Sequence, residues 1–259
     1  MKFAIIGTGF IFRNHVQAIY KAGGELIDVV NELYGEDAWK EMVKNTEADC
    51  IVILSPNNLH FEMAKFSAEN GKIVLCEKPL SIKSADVRIL AEFQNIFTVS
   101  QLRYHPFVKK LKSEIEDKKR YEIEMDISVH RDEDYYKSWK GQKESTGGII
   151  FNIGIHYFDL LLYLFGQPDK ISTSLLTDRK AAGVIEGGNY IFNWKLSTEE
   201  PKETQQRIFK INGVDYDLSS KENLHVYVYK DLLDKKGITP DEAISSIELI
   251  EKIYETFKK

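Results

Sequence analysis

The chain has 259 residues, 43% of them hydrophobic and 29% charged, with a formal net charge of −5. This is the composition of a globular protein with one large or two modest domains, and it excludes a disordered polypeptide. A mildly acidic balance without clustered Lys and Arg argues against nucleic-acid binding. The two cysteines, Cys50 and Cys76, lie in apolar runs and read as buried thiols rather than a disulfide or metal site. The opening MKFAIIGTGF lacks a secretory cleavage site, and no run of 18 uninterrupted apolar residues occurs. The expectation is a cytoplasmic protein without a membrane span.

Taken in order along the sequence, Lys2–Ile6 is a strand candidate, followed by a Gly-rich turn and a helix to about Tyr20. Leu26–Val30, Cys50–Leu54, Ile73–Cys76 and Phe97–Ser100 are further short apolar runs. Helical patterns at Leu59–Glu69 and Ser84–Phe93 separate them. Short all-apolar strands alternating with helices predict a parallel sheet covered on both faces. After residue 119 the texture changes. Tyr121–Val129, Ile171–Thr177, Tyr190–Leu196, Gln206–Ile211 and Leu224–Tyr229 read as strands, interrupted by one apolar helix from about Gly148 to Phe165. Successive strands without helices between them predict a mostly antiparallel open sheet. Thr239-Pro240-Asp241-Glu242 opens a final helix, with Thr as cap and Pro in the first turn. The fold class is therefore α/β: a Rossmann-type doubly wound domain over 1–119 and an α+β domain over 120–259.

Three places carry chemistry. Gly7-Thr8-Gly9-Phe10-Ile11 joins the first strand to the first helix. A first Gly permits the tight turn, a second lets backbone N–H groups approach a pyrophosphate, and the helix N-terminus adds partial positive charge. The third small position of that fingerprint holds Phe12, which questions the packing of helix on strand. Asn31-Glu32 stands where an acidic residue would meet the adenosine ribose, and no Arg awaits a 2′-phosphate. NAD is slightly favoured on that ground, and NADP stays open. The second place is Glu77-Lys78-Pro79 after the fourth strand. Ser55-Pro56-Asn57-Asn58 and Gln101-Leu102-Arg103 end neighbouring strands, so polar groups gather at one sheet edge. The third is the apolar helix, where Asn152, His156 and Asp159 are the polar exceptions at i, i+4 and i+7.

Gly7-Thr8-Gly9, Ser55-Pro56-Asn57-x-x-His60, Glu77-Lys78-Pro79 and Gly147-Gly148…Gly154-x-His156-x-x-Asp159 resemble, in order and spacing, the Gfo/Idh/MocA oxidoreductases. The resemblance implies NAD(P)-dependent oxidation or reduction of a sugar or cyclitol hydroxyl, with Lys78 beside the nicotinamide and the reacting oxygen. It places Gly7, Thr8, Gly9, Phe10, Ile11, Asn31, Ser55, Asn57, His60, Glu77, Lys78 and Gln101 at the cofactor. The family often carries Asp where this protein has Asn152. His156 is then the expected general base and Lys78 the stabiliser of the forming alkoxide. Gln101-Leu102-Arg103-Tyr104-His105-Pro106 and Tyr136-Lys137-Ser138-Trp139 resemble the subgroup that oxidises UDP-N-acetylglucosaminuronic acid at its 3-hydroxyl for surface polysaccharide. On that resemblance Lys78, Arg103, Tyr104, Lys137, Trp139, Asn152 and His156 form the substrate set, without a metal. A homodimer or homotetramer through the open sheet is also implied by the family. A dehydrogenase for another sugar or cyclitol, and a non-catalytic dinucleotide-binding protein, are the alternatives.

Overall fold

The computed structural model describes residues 1–257. In sequence order the first part contains β1 (Lys2–Ile6), α1 (Phe12–Ala22), β2 (Glu25–Val30), α2 (Ala38–Asn45), β3 (Cys50–Ile53), α3 (His60–Glu69), β4 (Ile73–Cys76), α4 (Ser84–Leu90) and β5 (Ile96–Thr98). Then come α5 (Pro106–Glu114), β6 (Tyr121–Ser128), α6 (Glu133–Lys137), α7 (Lys143–Thr146), α8 (Ile155–Phe165), β7 (Lys170–Leu176), β8 (Lys180–Gly187), β9 (Tyr190–Ser197), β10 (Gln206–Ile211) and β11 (Val214–Asp215). The last elements are α9 (His225–Leu233) and α10 (Pro240–Phe257).

Two compact units result. The first comprises Met1–Tyr104 and Ser220–Ile244, the second His105–Ser219 and the residues from Ser245 onward. The first unit thus runs to Tyr104 and takes in a later segment containing α9.

In the first unit the five strands are all parallel, in the order β2-β1-β3-β4-β5. Successive strands run one way from β1 to β2 and the other way from β3 to β5, so the order reverses beside β1. Ligands of open α/β sheets bind outside the carboxyl ends of the strands at that reversal. The central strands are apolar throughout because both faces are covered; all four residues of β3 are fully buried. Helix α1 buries His15, Ala18 and Ile19, whereas Phe12 stays half-buried. It stands at i, with His15 at i+3 and Ile19 at i+7, on the face that the helix buries but in its first turn.

Leu224–Tyr229, expected as a strand, is the start of α9. Its buried residues His225, Val228, Tyr229 and Leu232 follow i, i+3, i+4 and i+7, the spacing of a helix face. Alternating Val and Tyr conceal that period over the first few residues. At the head of α10, the Thr239 N–H donates to Glu242 Oε2 at 3.0 Å, as the capping pattern predicts.

In the second unit six strands run in the order β11-β10-β6-β9-β8-β7. All pairs are antiparallel except β6 with β9, which is parallel. One face buries Ile123, Met125 and Ile127 of β6 with Phe192, Trp194 and Leu196 of β9. Phe158 of α8 packs edge-on against Phe192 and Trp194. β8 and the short helices α5 to α7 were not legible as elements in the sequence. The run Lys143–Phe165 is long and apolar enough to cross a membrane by length and composition, but 61% of that window is buried inside the protein. Gly147 and Gly148 also break it, with φ of 78° and 88°. It is a core helix of the sheet it covers.

Candidate functional site

In the first unit the loop after β1 is built around two glycines with different duties. Gly7 has φ 99°, and a Cβ there would lie 2.9 Å from both the carbon and the oxygen of the Leu54 carbonyl. Only glycine fits. Around Gly9 a Cβ would meet nothing within 4 Å, so the backbone faces open space. Gly7 N–H donates to Val30 O at 2.8 Å, which ties the loop to the end of β2. Asn31 extends that tie: its Nδ2 donates to Thr8 Oγ1 at 2.9 Å, and its Oδ1 accepts from Leu33 N–H at 3.0 Å. Thr8 and Phe10 are exposed and Ile11 is half-buried, immediately before α1.

Further along the strand ends, Ser55 and Asn57 are buried. Ser55 Oγ and Gln101 Oε1 are buried atoms with no hydrogen-bond partner among the described residues. Buried polar atoms need partners. These two, with the open approach at Gly9, fit a ligand that carries hydrogen-bonding groups along this edge of the sheet, as a dinucleotide does.

His60 and Glu77 do other work. The His60 ring is fully buried, with Nδ1 2.6 Å from Pro79 O and Nε2 2.8 Å from Ser55 O. It lies between the ends of β3 and β4, with both ring nitrogens against backbone carbonyls. Burial lowers its pKa. Glu77 turns its carboxylate to His15 and His225, and its Oε2 accepts the Lys78 N–H at 3.2 Å. Those contacts tie the turn to α1 and α9. Lys78 precedes a cis bond to Pro79. Burial lowers its ammonium pKa, and the Glu77 charge works the other way.

Arg103 and Tyr104, expected at the substrate, are held within the first unit. An Arg103 guanidinium nitrogen donates to Glu242 O at 3.4 Å, and another lies 3.7 Å from the Glu242 carboxylate. Tyr104 is buried, and that burial together with a hydrogen bond to Asp231 pushes its pKa up.

The polar stripe lies in the second unit. Ile150–Gly154 forms a π-helical turn that runs into α8, so Asn152 sits where the helix is widened. Such turns are frequent at functional sites. Asn152 Nδ2 donates to Tyr135 Oη at 2.6 Å and to Lys140 O at 3.4 Å. His156 is half-buried and Asp159 is buried. Lys137 stands at the surface among Glu133 and Asp134, at 3.8 and 3.9 Å. Trp139 is 36% exposed, with the Lys140 ammonium 6.0 Å from its ring.

Sequence reasoning missed His15, His225, Tyr229 and Tyr135. His15 lies on the first helix outside any motif. His225 and Tyr229 were concealed by the strand assignment.

A parallel five-stranded sheet with a glycine loop at its point of reversal fits a dinucleotide-binding domain. Two family models match: "Oxidoreductase family, NAD-binding Rossmann fold" over residues 27–96 and "GFO/IDH/MocA C-terminal domain" over residues 119–196. The chain belongs to the Gfo/Idh/MocA oxidoreductase family, and its N-terminal part is the family's NAD-binding Rossmann domain. Among solved structures it is similar to the WlbA (WbpB) dehydrogenase of Thermus thermophilus in complex with NAD and alpha-ketoglutarate. Identity is 28%, covering 95% of this chain and 92% of that one, with a TM-score of 0.85. The same enzyme has been solved with NAD and UDP-GlcNAcA, at a TM-score of 0.83. Among curated relatives, myo-inositol 2-dehydrogenase of Thermotoga maritima is 27% identical over 192 residues, 64% of this chain and 55% of that protein. The chain spans about half the length of the curated relatives it matches.

Proposed function

We propose that this protein is an NAD-dependent dehydrogenase that oxidises the 3-hydroxyl of UDP-N-acetylglucosaminuronic acid. The observation that carries the reading is the likeness to the T. thermophilus enzyme, which spans nearly all of both proteins and was solved with NAD and this nucleotide sugar. The loop Gly7–Ile11, with Asn31, would hold the dinucleotide backbone, and Ser55 and Gln101 would meet its polar groups at the strand ends. NAD, when bound, supplies the hydride acceptor.

The rest of the chemistry falls to the protein. The Lys78 ammonium holds the substrate oxygen and stabilises its developing negative charge. His156 takes the hydroxyl proton as general base. Asn152 cannot act as acid or base and instead orients substrate beside His156. Trp139 offers an exposed ring for a uracil or sugar face. Manufacture of surface polysaccharide in the cytoplasm, by a homodimer or homotetramer, belongs to the same reading.

A second reading, oxidation of an inositol or another free sugar, is favoured by the matches to myo-inositol 2-dehydrogenase and to scyllo-inositol 2-dehydrogenase (NADP(+)) of Bacillus subtilis. The deciding assay follows absorbance of the reduced nicotinamide with NAD and UDP-N-acetylglucosaminuronic acid. 2-Oxoglutarate is added if the cofactor does not exchange. Turnover that is lost in both Lys78→Ala and His156→Ala supports the proposal. Turnover with myo-inositol alone moves the protein to the second reading.

A further inference from the structure

Behind the Glu77-Lys78-Pro79 turn, the first unit buries a polar cluster that the dinucleotide loop does not use. It draws His15 from α1, Glu77 from the end of β4, and His225 and Tyr229 from α9. The proton positions follow from the partners. Tyr229 Oη lies 2.8 Å from His15 Nδ1, and His15 Nε2 lies 2.9 Å from Glu77 Oε1. A carboxylate only accepts, so His15 donates from Nε2 and accepts the phenol hydrogen at Nδ1.

The second histidine is constrained just as closely. Asn223 Nδ2 donates to Asn14 O at 2.7 Å and to Gln17 Oε1 at 3.3 Å, which orients its Oδ1 toward His225. That oxygen accepts the His225 backbone N–H at 3.1 Å and lies 2.9 Å from Nδ1, so Nδ1 carries a hydrogen. His225 Nε2 is then left buried, with no well-formed hydrogen bond among the described residues, 3.4 Å from Glu77 Oε1. A neutral ring would set its lone pair against a carboxylate. A protonated ring places a donor and a positive charge there.

We propose that His15 and His225 are positioning residues for Lys78: by gripping the Glu77 carboxylate they lock the backbone of the turn. The link is direct, because the other carboxylate oxygen accepts the Lys78 N–H. His60 fixes the far side of the same turn through Pro79 O. The groups that bear on the pair are thus His15, Tyr229 and Asn223 around the rings, Lys78 and His60 beside the turn, and Cys50 and Cys76 in the adjoining strands. Desolvation works to raise the Glu77 pKa, yet the interactions with His15 and His225 outweigh it and hold the carboxyl well below its ordinary range. The His15, Glu77 and His225 ligand atoms also lie within 4.8 Å of one another, so a divalent cation is the competing explanation for the unpartnered nitrogen. Against a cation, the His15 Nε2 hydrogen points at Glu77, so that nitrogen offers no lone pair to a metal.

The proposal rests on the reading of Lys78 as the group that holds the reacting oxygen, and its tests separate the two. In protein labelled with 15N-histidine, the His225 ring is assigned by its loss in His225→Gln. Its Nδ1 is expected at a protonated chemical shift, donating to Asn223 Oδ1. One zinc per protein molecule retained through dialysis against a chelator makes the cluster a metal site and overturns the proposal. In the dehydrogenase assay His225→Met is expected to lower kcat about tenfold or more, with the Kd for NAD within about twofold of wild type. His225→Gln, which returns an N–H donor to Glu77, is expected to regain most of that loss. Equal losses in Gln and Met, or a loss that appears only in NAD affinity, overturn positioning. If no substrate turns over, Lys78 is read by 13C-methylation and NMR, assigned by its loss in Lys78→Arg. It is expected to titrate at higher pH in His225→Met, where the Glu77 charge is no longer shared. An unchanged titration overturns the proposal without reference to any substrate.

Discussion

Replacing the two glycines of the first loop, one at a time, separates a glycine required by the fold from one required by a ligand. In Gly7→Ala the new Cβ lies 2.9 Å from two backbone atoms of Leu54, at a position held at φ 99°. Holding a non-glycine residue in that region costs about 1–3 kcal/mol. Forcing an extra carbon into packed backbone adds about 1–3 kcal/mol. Neither Leu54 nor the loop can yield freely, because Leu54 N–H donates to Ile6 O at 2.8 Å and Gly7 N–H to Val30 O at 2.8 Å. The expected loss is therefore about 2–6 kcal/mol in urea unfolding, with the slope of the transition unchanged. Gly9→Ala meets no protein atom within 4 Å and should leave stability within about 0.5 kcal/mol of wild type. Its methyl group stands where the pyrophosphate must approach, so NAD affinity should fall about tenfold or more, equivalent to about 1.4 kcal/mol. A Gly7→Ala protein as stable as wild type would refute the packing argument. Wild-type NAD affinity in Gly9→Ala would refute the placement of the phosphates.

Tyr229→Phe removes the hydrogen that satisfies His15 Nδ1 and should cost about 1–3 kcal/mol of stability, measured by denaturant unfolding. Glu242→Ala removes the acceptor for the Thr239 N–H at the head of α10 and should cost about 1 kcal/mol in the same experiment. Desolvation lowers the pKa of His15 below its ordinary value, so the unfolded state takes up a proton there before the folded one does. Stability attributable to this residue is therefore complete above about pH 6.5 and falls as pH drops below it. Thermal unfolding of His15→Gln should show a shallower acid limb than wild type over that range. In the proposed reaction, Lys78→Ala and His156→Ala should each reduce kcat about 10²-fold or more, while equilibrium dialysis shows NAD still bound.

Local pattern reaches as far as local physics does. The alternation of short apolar strands with helices was enough for the parallel sheet, because strands buried on both faces must be apolar along their whole length. Gly7 and Gly9 were legible because a tight turn and a close ligand approach each demand the absence of a side chain. Glu77-Lys78-Pro79 and the stripe Asn152, His156 and Asp159 stood out as polar groups against apolar surroundings. The partners of those groups were not legible. Glu77 is gripped by His15 from sixty-two residues upstream and by a helix that returns to the first unit only after residues 105–219 of the second. Arg103 and Tyr104 lie beside a promising strand end, and their contacts with Glu242 and Asp231, far along the sequence, were not legible either. His225 carries no sequence signal, since its helix begins with a β-like alternation and its proton is set by Asn223. Residue type and spacing determine which groups can do chemistry and which backbone turns are possible. Which buried polar atom each group must satisfy depends on contacts between distant parts of the sequence, and only the folded structure decides it.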